Sequence, residues 1–232
     1  MEFGIFAGIC LVWVTLFLII RCKKGACPLA VVVKSVASLT FVFAGIYGAL
    51  KTGLNVANML IVFGLILAMF GDIVLDLKVA YPESKKLYLN SGMISFSLSS
   101  LLYVTSTIII WNMLNKFLLA SLGAMGVALL FATVVLLLEK PLKLDFAGYK
   151  AQIFIYSFAV SFATFLSLIV CFYVSGFALF AVGILLVLIS DLLLSLMYFG
   201  GKDNSKVLCV LNHILYYIGE LLIVSYLFFQ LG

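Results

Sequence analysis

The sequence predicts an all-α protein, a polytopic bundle of eight transmembrane helices. Of its 232 residues, 66% are hydrophobic and 10% are charged, whereas a soluble domain has roughly 45–50% apolar and about 25% charged residues. The apolar residues form eight continuous runs, and each is close to the roughly 20 residues that a spanning helix needs. Because every connection is short, we expect residues 1–232 to form one integral membrane domain. Soluble, disordered, collagen-like and coiled-coil proteins are excluded.

The eight runs are continuous, unlike the short alternating segments of a β-barrel. In chain order, the predicted spans cover residues 2–21, 28–50, 54–77, 87–110, 117–138, 149–173, 177–199 and 206–230. Basic residues mark the connections after the first, third, fifth and seventh spans. They are Arg21, Lys23, Lys24, Lys78, Lys85, Lys86, Lys140, Lys143, Lys150, Lys202 and Lys206.

These basic connections also predict the orientation of the bundle. All eleven cations belong to one end, whereas only Lys51 and Lys116 belong to the other, and Lys34 lies inside the second span. The positive-inside rule then places both termini outside and the four basic loops in the cytoplasm. In a bacterium the membrane would be the plasma membrane. This bias accounts for the net charge of +5, so no nucleic-acid partner is expected.

The third and seventh spans resemble each other. Gly64, Gly71, Asp72 and Asp76 recur as Gly183, Ser190, Asp191 and Ser195, at a constant offset of 119 residues. With four spans in each half, the two halves would have the same orientation. The pattern indicates a candidate parallel 4+4 repeat with halves 1–112 and 113–232, as some transporter folds have.

Ionisable residues inside the spans are the candidates for function, because burying them in a bilayer is costly. They are Lys34, Asp72, Asp76, Asp191, His213 and Glu220. With a rise of about 1.5 Å per residue, four of them lie roughly 8–12 Å below the cytoplasmic end of their helices. Those four are Lys34, Asp72, Asp191 and His213. We expect Asp76 to be a solvated residue at the boundary, and Lys34 either to join the buried layer or to reach the interface.

The two buried aspartates Asp72 and Asp191 suggest acid–base chemistry. One buried carboxyl group can remain protonated as an acid while a neighbouring carboxylate is ionised. Such a pair serves cleavage through an oxocarbenium-like state and equally serves proton-coupled transport. Polar groups that hydrogen-bond across the bundle are the structural alternative. The chain has no Ser/His/Asp motif, phosphate-binding glycine loop or metal motif, so no metal or cofactor is expected.

Several short motifs, in order along most of the chain, resemble the YhhN-like lysoplasmalogenases, which are eight-span membrane proteins. They are Lys34, Gly71-Asp72, Gly92-Met93-x-x-Phe96, Leu102-Tyr103, Tyr156, Ser190-Asp191 with Phe199, and Tyr217-x-x-Glu220. Two positions depart from the family pattern. Ser100 stands where a histidine is common, and Glu220 stands where the family has glutamine.

The resemblance implies hydrolysis of the vinyl ether bond of lysoplasmalogens, which yields a fatty aldehyde and a glycerophospho-headgroup. It implies a lysophospholipid substrate from the membrane, with Asp72 and Asp191 as the acid/base pair. Residues expected to bind the substrate are Lys34, Ser100, Tyr103, Tyr156, His213, Tyr217 and Glu220, with Lys34 meeting the phosphate. A proton-coupled transporter or lipid carrier is the alternative, and a structural or sensing membrane protein is the third.

Overall fold

The computed structural model describes residues 1–25, 27–112, 117–202 and 205–230, and within them it confirms the predicted bundle of eight long helices. Each helix is long and apolar enough to span a membrane. In chain order they are α1 (Glu2–Lys24), α2 (Pro28–Thr52), α3 (Val56–Ala80), α4 (Lys85–Asn112), α5 (Phe117–Leu137), α6 (Lys150–Cys171), α7 (Ala178–Tyr198) and α8 (Lys206–Phe228). Lys116, one of the two cations assigned to the less basic end, lies outside the described residues.

Two of the helices that carry the central ionisable residues, α3 and α8, begin at side-chain caps. The side-chain oxygen Oδ1 of Asn55 accepts a hydrogen bond from the Asn58 backbone amide at the start of α3. Ser205 does the same for the Leu208 amide at the start of α8. Such caps satisfy amides that have no partner within the helix. They fix where α3 and α8 start, and therefore the position of every residue along the axes of these two helices.

Neighbouring helices in the bundle follow the same order in the two halves of the chain. In the first half each helix packs on the next, from α1 to α4, and the same holds from α5 to α8 in the second half. The halves meet through two equivalent pairs, because α4 packs on α6 and α2 packs on α8. Helices α1 and α5 occupy equivalent positions at the periphery. Only 17% and 22% of the residues in their most apolar stretches are buried. This arrangement is consistent with the candidate 4+4 repeat, and a common origin of the halves stays a prediction.

The backbones of α7 and α8 meet at two glycines. A Cβ atom added to Gly183 would lie 2.7 Å from the carbonyl oxygen of Gly219 and 2.9 Å from the amide nitrogen of Ile223. A Cβ atom on Gly219 would lie 2.8 Å from the carbonyl oxygen of Gly183. Small residues permit this close approach of helices within a membrane. It holds Asp191 of α7 and His213 of α8 on adjoining helices.

Replacing Gly183 or Gly219 with alanine is expected to lower the melting temperature of the purified protein. The added methyl group meets backbone rather than a movable side chain, and such overpacking costs about 1–3 kcal/mol. Gly8→Ala is the matched control, because an added Cβ there has no neighbour within 4 Å. Equal melting temperatures for Gly183→Ala, Gly8→Ala and the unmodified protein would contradict the close approach.

Candidate active site

A buried ion cluster joins α2 and α3. The Lys34 ammonium nitrogen lies 2.6 Å from Asp72 Oδ1 and 3.1 Å from Asp76 Oδ2. All three side chains are at least nine-tenths buried. A lysine in a bilayer needs such partners because an isolated buried charge is far too costly. The cluster therefore fixes the relative position of these two helices.

Two hydroxyl groups complete the surroundings of the Asp72 carboxylate. Ser38 donates a hydrogen bond to Asp72 Oδ2 over 2.8 Å, and the Tyr217 hydroxyl donates to the same oxygen over 3.2 Å. The Ser38 and Tyr217 hydroxyls also lie 2.9 Å apart. With Lys34 on Oδ1, both oxygens of Asp72 are occupied by positively polarised groups. These contacts favour the ionised carboxylate and link α8 to α2 and α3.

This cluster corrects one expectation from the sequence and decides between the two alternatives that the sequence left open for Lys34. The interpretation of Asp76 as a solvated boundary residue is wrong, because its side chain is 5% exposed and paired with Lys34. Nor does Lys34 reach the interface. Its ammonium group contacts two carboxylates and lies 3.5 Å from the Asp72 carbonyl oxygen. It is therefore engaged with the protein, which argues against the expected phosphate contact.

Asp191, the second predicted catalytic residue, has different surroundings. The Tyr156 hydroxyl of α6 donates to Asp191 Oδ2 over 2.5 Å. The salt bridges among the described residues do not include this carboxyl group. It is also partly exposed, whereas Asp72 is buried. Among the described residues, the hydrogen bond found for this carboxyl group involves Oδ2 and not Oδ1.

The two aspartates line the same small cavity, of about 20 Å³, toward the end of the bundle that carries the basic loops. Lys34 and His213 also line it, so the four groups that the sequence placed in one layer do meet. A volume of this size holds about one water molecule. We call this space the carboxyl cavity.

The wall of the carboxyl cavity contributed by α7 and α8 is held by Ser190 and Asn212. The Asn212 side-chain amide donates to the Ser190 carbonyl oxygen over 2.8 Å, and the Ser190 hydroxyl donates to the Asn212 carbonyl oxygen over 3.0 Å. At the next residue of α8, His213 Nδ1 lies 2.7 Å from the carbonyl oxygen of Cys209, one turn earlier in the helix. These bonds fix the side chains next to Asp191.

An apolar crevice leads away from Asp191 between α4, α5, α6 and α7. Its volume is about 60 Å³, and Leu192 of its lining is exposed at the bundle surface. The lining includes Met93, Phe96, Phe131, Val135, Val160 and Leu188. The polar residues of the lining are Tyr156, Ser157, Asp191, Ser195 and Tyr198. A carboxyl group at the base of an apolar slot suits a ligand with an alkyl chain.

The three remaining candidates from the sequence lie apart from the carboxyl cavity. Ser100, Tyr103 and Glu220 line a separate space of about 10 Å³, which Tyr156 also borders. Glu220 is 1% exposed. Its Oε2 atom and the Tyr103 hydroxyl have no hydrogen bond within the part of the chain that the structure describes. Tyr156 therefore stands between this space and Asp191.

The sequence did not predict the contacts that Ser38, Asp76, Ser190 and Asn212 make. Serine and asparagine are common in spans, so they give a weak signal on their own. Helical spacing does indicate two of the four positions. Ser38 is one helical turn from Lys34, and Asp76 is one turn from Asp72, so each shares a helix face with its partner. No comparable pattern pairs Ser190 with Asn212, because their bond crosses between two helices.

Removing the cation from the cluster is expected to destabilise the bundle. Lys34→Met leaves two buried carboxyl groups without a counter-charge, and breaking a buried pair costs about 3–5 kcal/mol. The melting temperature should fall clearly. It should recover largely in the neutral triple variant Lys34→Met/Asp72→Asn/Asp76→Asn.

Lys51→Met is the matched control for this prediction. Lys51 pairs with Glu2 near the membrane surface, with half of its side chain exposed. Such exposed pairs contribute little, so this variant should melt close to the unmodified protein. A Lys34→Met variant as stable as Lys51→Met would show that the buried ion cluster does not hold α2 and α3 together.

Comparisons with known proteins bear on this site. Searches of curated proteins and of solved structures found no match. The model of the YhhN family matches residues 29–227, which cover α2 to α8 except for one residue at each end and include every residue that lines the carboxyl cavity. Because this match covers most of the chain, the protein belongs to the YhhN family.

Proposed function

We propose that the protein is a membrane-embedded hydrolase that cleaves the vinyl ether bond of lysoplasmalogens. The products are a fatty aldehyde and a glycerophospho-headgroup. One observation carries the proposal: two carboxyl groups with unlike surroundings face one cavity inside the bundle. Membership of the YhhN family supports a lysoplasmalogenase-type membrane protein. The unlike pair of carboxyl groups supplies the chemistry that this reaction needs.

Asp191 is the general acid in this proposal. Vinyl ether cleavage begins when a proton adds to the β-carbon, which leaves an oxocarbenium ion. Asp191 has a tyrosine hydroxyl on one oxygen and, among the residues that the structure describes, forms no salt bridge, so it can hold the proton to be transferred. Its partial exposure lets the substrate reach it. Positioned acids of this kind contribute about 10²–10⁴-fold to rate.

Asp72 is the ionised partner. Lys34 and two hydroxyls hold its negative charge in place before the substrate arrives. A fixed negative charge near the reacting carbon stabilises the positive charge of the oxocarbenium ion as it forms, without the cost of reorganising solvent. The sequence left open which aspartate is the acid. The difference between their contacts supports Asp191.

The alkyl chain of the substrate is assigned to the apolar crevice. The crevice has a volume of about 60 Å³. It is smaller than sites that enclose drug-sized ligands, whose volumes are typically about 300–1,000 Å³. Binding therefore requires the lining helices to part. Helix α4 packs much less on α5 than on α3 or α6, so the seam between α4 and α5 is the place where they separate most easily.

The proposed orientation matches the depth of the reacting bond. If the basic loops are cytoplasmic, as the positive-inside rule predicts, both termini are outside and the carboxyl cavity lies below the cytoplasmic headgroups. The vinyl ether of a membrane lysolipid lies just below its own headgroup. The substrate could then reach Asp191 without leaving its leaflet.

A proton-coupled transporter or lipid carrier is the second candidate. The repeated order of helix neighbours favours it, because parallel repeats are common among transporters. A carrier of this kind would move its cargo in proteoliposomes under a pH gradient and release no aldehyde.

Purified protein in lipid nanodiscs should release fatty aldehyde from a 1-alkenyl lysophosphatidylethanolamine or lysophosphatidylcholine. Asp191→Asn and Asp72→Asn should each lower kcat by about 10²-fold or more, because one lacks the acid and the other lacks the fixed charge. Asp145→Asn is the matched control, because it makes the same change at an exposed loop residue. Aldehyde release is measured by mass spectrometry, and folding is checked by thermal melting.

Two results would contradict the proposal in different ways. Aldehyde release at the unmodified rate by Asp191→Asn would exclude Asp191 as the acid. The absence of aldehyde from the unmodified protein, together with lipid uptake driven by a pH gradient, would favour the carrier.

A further inference from the structure

We propose that His213 is the base that activates the attacking water, an inference that rests on the proposed hydrolysis. The reaction needs two proton transfers of opposite direction. One group must protonate the β-carbon, and another must accept a proton as water attacks the oxocarbenium ion. The proposed function assigns only the first. The carboxyl cavity contains a suitable group for the second.

The hydrogen bond of His213 determines which ring nitrogen is basic. Nδ1 lies 2.7 Å from the Cys209 carbonyl oxygen. A carbonyl oxygen can only accept, so Nδ1 must carry a proton and donate it. In the neutral imidazole the other nitrogen, Nε2, then has the free lone pair. A backbone carbonyl thus fixes the tautomer that a base requires.

Packing fixes the ring at the wall of the cavity. The His213 ring centroid lies 4.7 Å from that of Phe17, and the residue is 6% exposed. His213 lines the carboxyl cavity together with Asp72 and Asp191, and the cavity has room for about one water molecule. The hydrogen bonds found for His213 within the described chain all involve Nδ1. Nε2 is therefore available to a water molecule.

The alternative base, Asp72, is already engaged. Its Oδ1 pairs with Lys34, and its Oδ2 accepts hydrogen bonds from Ser38 and Tyr217. A proton taken by Asp72 would remove one of the two counter-charges of the buried lysine, leaving Asp76 alone, and would weaken these contacts. Neutral His213 needs no such loss of a partner. The contacts therefore favour His213 over Asp72 as the acceptor.

The full sequence of transfers balances. The Asp191 carboxyl group gives its proton to the β-carbon, and the double bond becomes an oxocarbenium ion. Water attacks that ion while Nε2 takes one of its protons, which gives a hemiacetal. The hemiacetal hydroxyl returns a proton to the Asp191 carboxylate as the bond to the glycerol oxygen breaks. That oxygen takes the proton from Nε2, so both residues are regenerated and one water is consumed.

The test uses D₂O and the substrate that remains after partial reaction. In the unmodified protein, rapid capture by water prevents return of the oxocarbenium ion, so recovered lysoplasmalogen should carry no deuterium at its β-carbon. In His213→Asn and His213→Gln, capture is slow, and the ion returns to the vinyl ether. Recovered substrate should then carry deuterium, and kcat should fall about 10²-fold or more.

Asn212→Ala is the matched control, because it removes a polar group from the same cavity wall and leaves the imidazole in place. It should slow turnover or lower stability without placing deuterium in the recovered substrate. Two variants at His213 are used so that a misfolded one can be recognised by its melting curve and set aside.

The outcomes separate the two proposals. If the unmodified protein releases aldehyde but the His213 variants turn over at its rate, or are slow without deuterium exchange, the assignment of His213 is overturned and the hydrolase remains. If the unmodified protein releases no aldehyde, the proposed function is overturned and the role of His213 with it.

Discussion

The structure depends on a lysine that is buried inside a membrane bundle. Lys34 is tolerated there only because Asp72 and Asp76 lie within 3.1 Å of its ammonium group. These ion pairs fix the position of α2 relative to α3. The hydroxyls of Ser38 and Tyr217 extend the ion pairs into a network that includes α8. The network surrounds the Asp72 carboxyl group with positively polarised groups and forms one wall of the carboxyl cavity. The unlike surroundings of the two aspartates follow from it.

Composition and charge were sufficient to predict the fold, because eight long apolar runs have few alternatives in a bilayer. Helical rise also predicted that Lys34, Asp72, Asp191 and His213 share a level, since rise per residue is nearly constant. It did not predict which of them touch. Contact depends on the rotation of each helix about its axis, and a uniformly apolar span gives little information about that rotation. The prediction for Asp76 was wrong for this reason. Its position near the end of α3 suggested contact with solvent, but the rotation of α3 directs its side chain toward Lys34.

Comparing equivalent positions suggests how one framework holds two different carboxyl groups. At the offset of 119 residues, Asp72 corresponds to Asp191 and Ser38 to Ser157, and all four line or support cavities. The charged partners differ, because Lys34 corresponds to Ile153 and Asp76 to Ser195. Asp191 therefore borders an apolar crevice where Asp72 meets a cation. If the halves share an origin, divergence at these two positions explains the division of roles.

The central claim is that Asp191 meets the reacting bond of a lipid whose chain occupies the apolar crevice. The most direct measurement is a crystal structure of the unmodified protein with a saturated 1-alkyl ether lysophospholipid, which has no vinyl bond to cleave. The account predicts the chain between α4, α5, α6 and α7. The carbon next to the ether carbon should lie about 3–3.5 Å from Asp191 Oδ1, as a near-attack geometry requires. A lipid bound elsewhere, or in the crevice with its ether remote from Asp191, would contradict it.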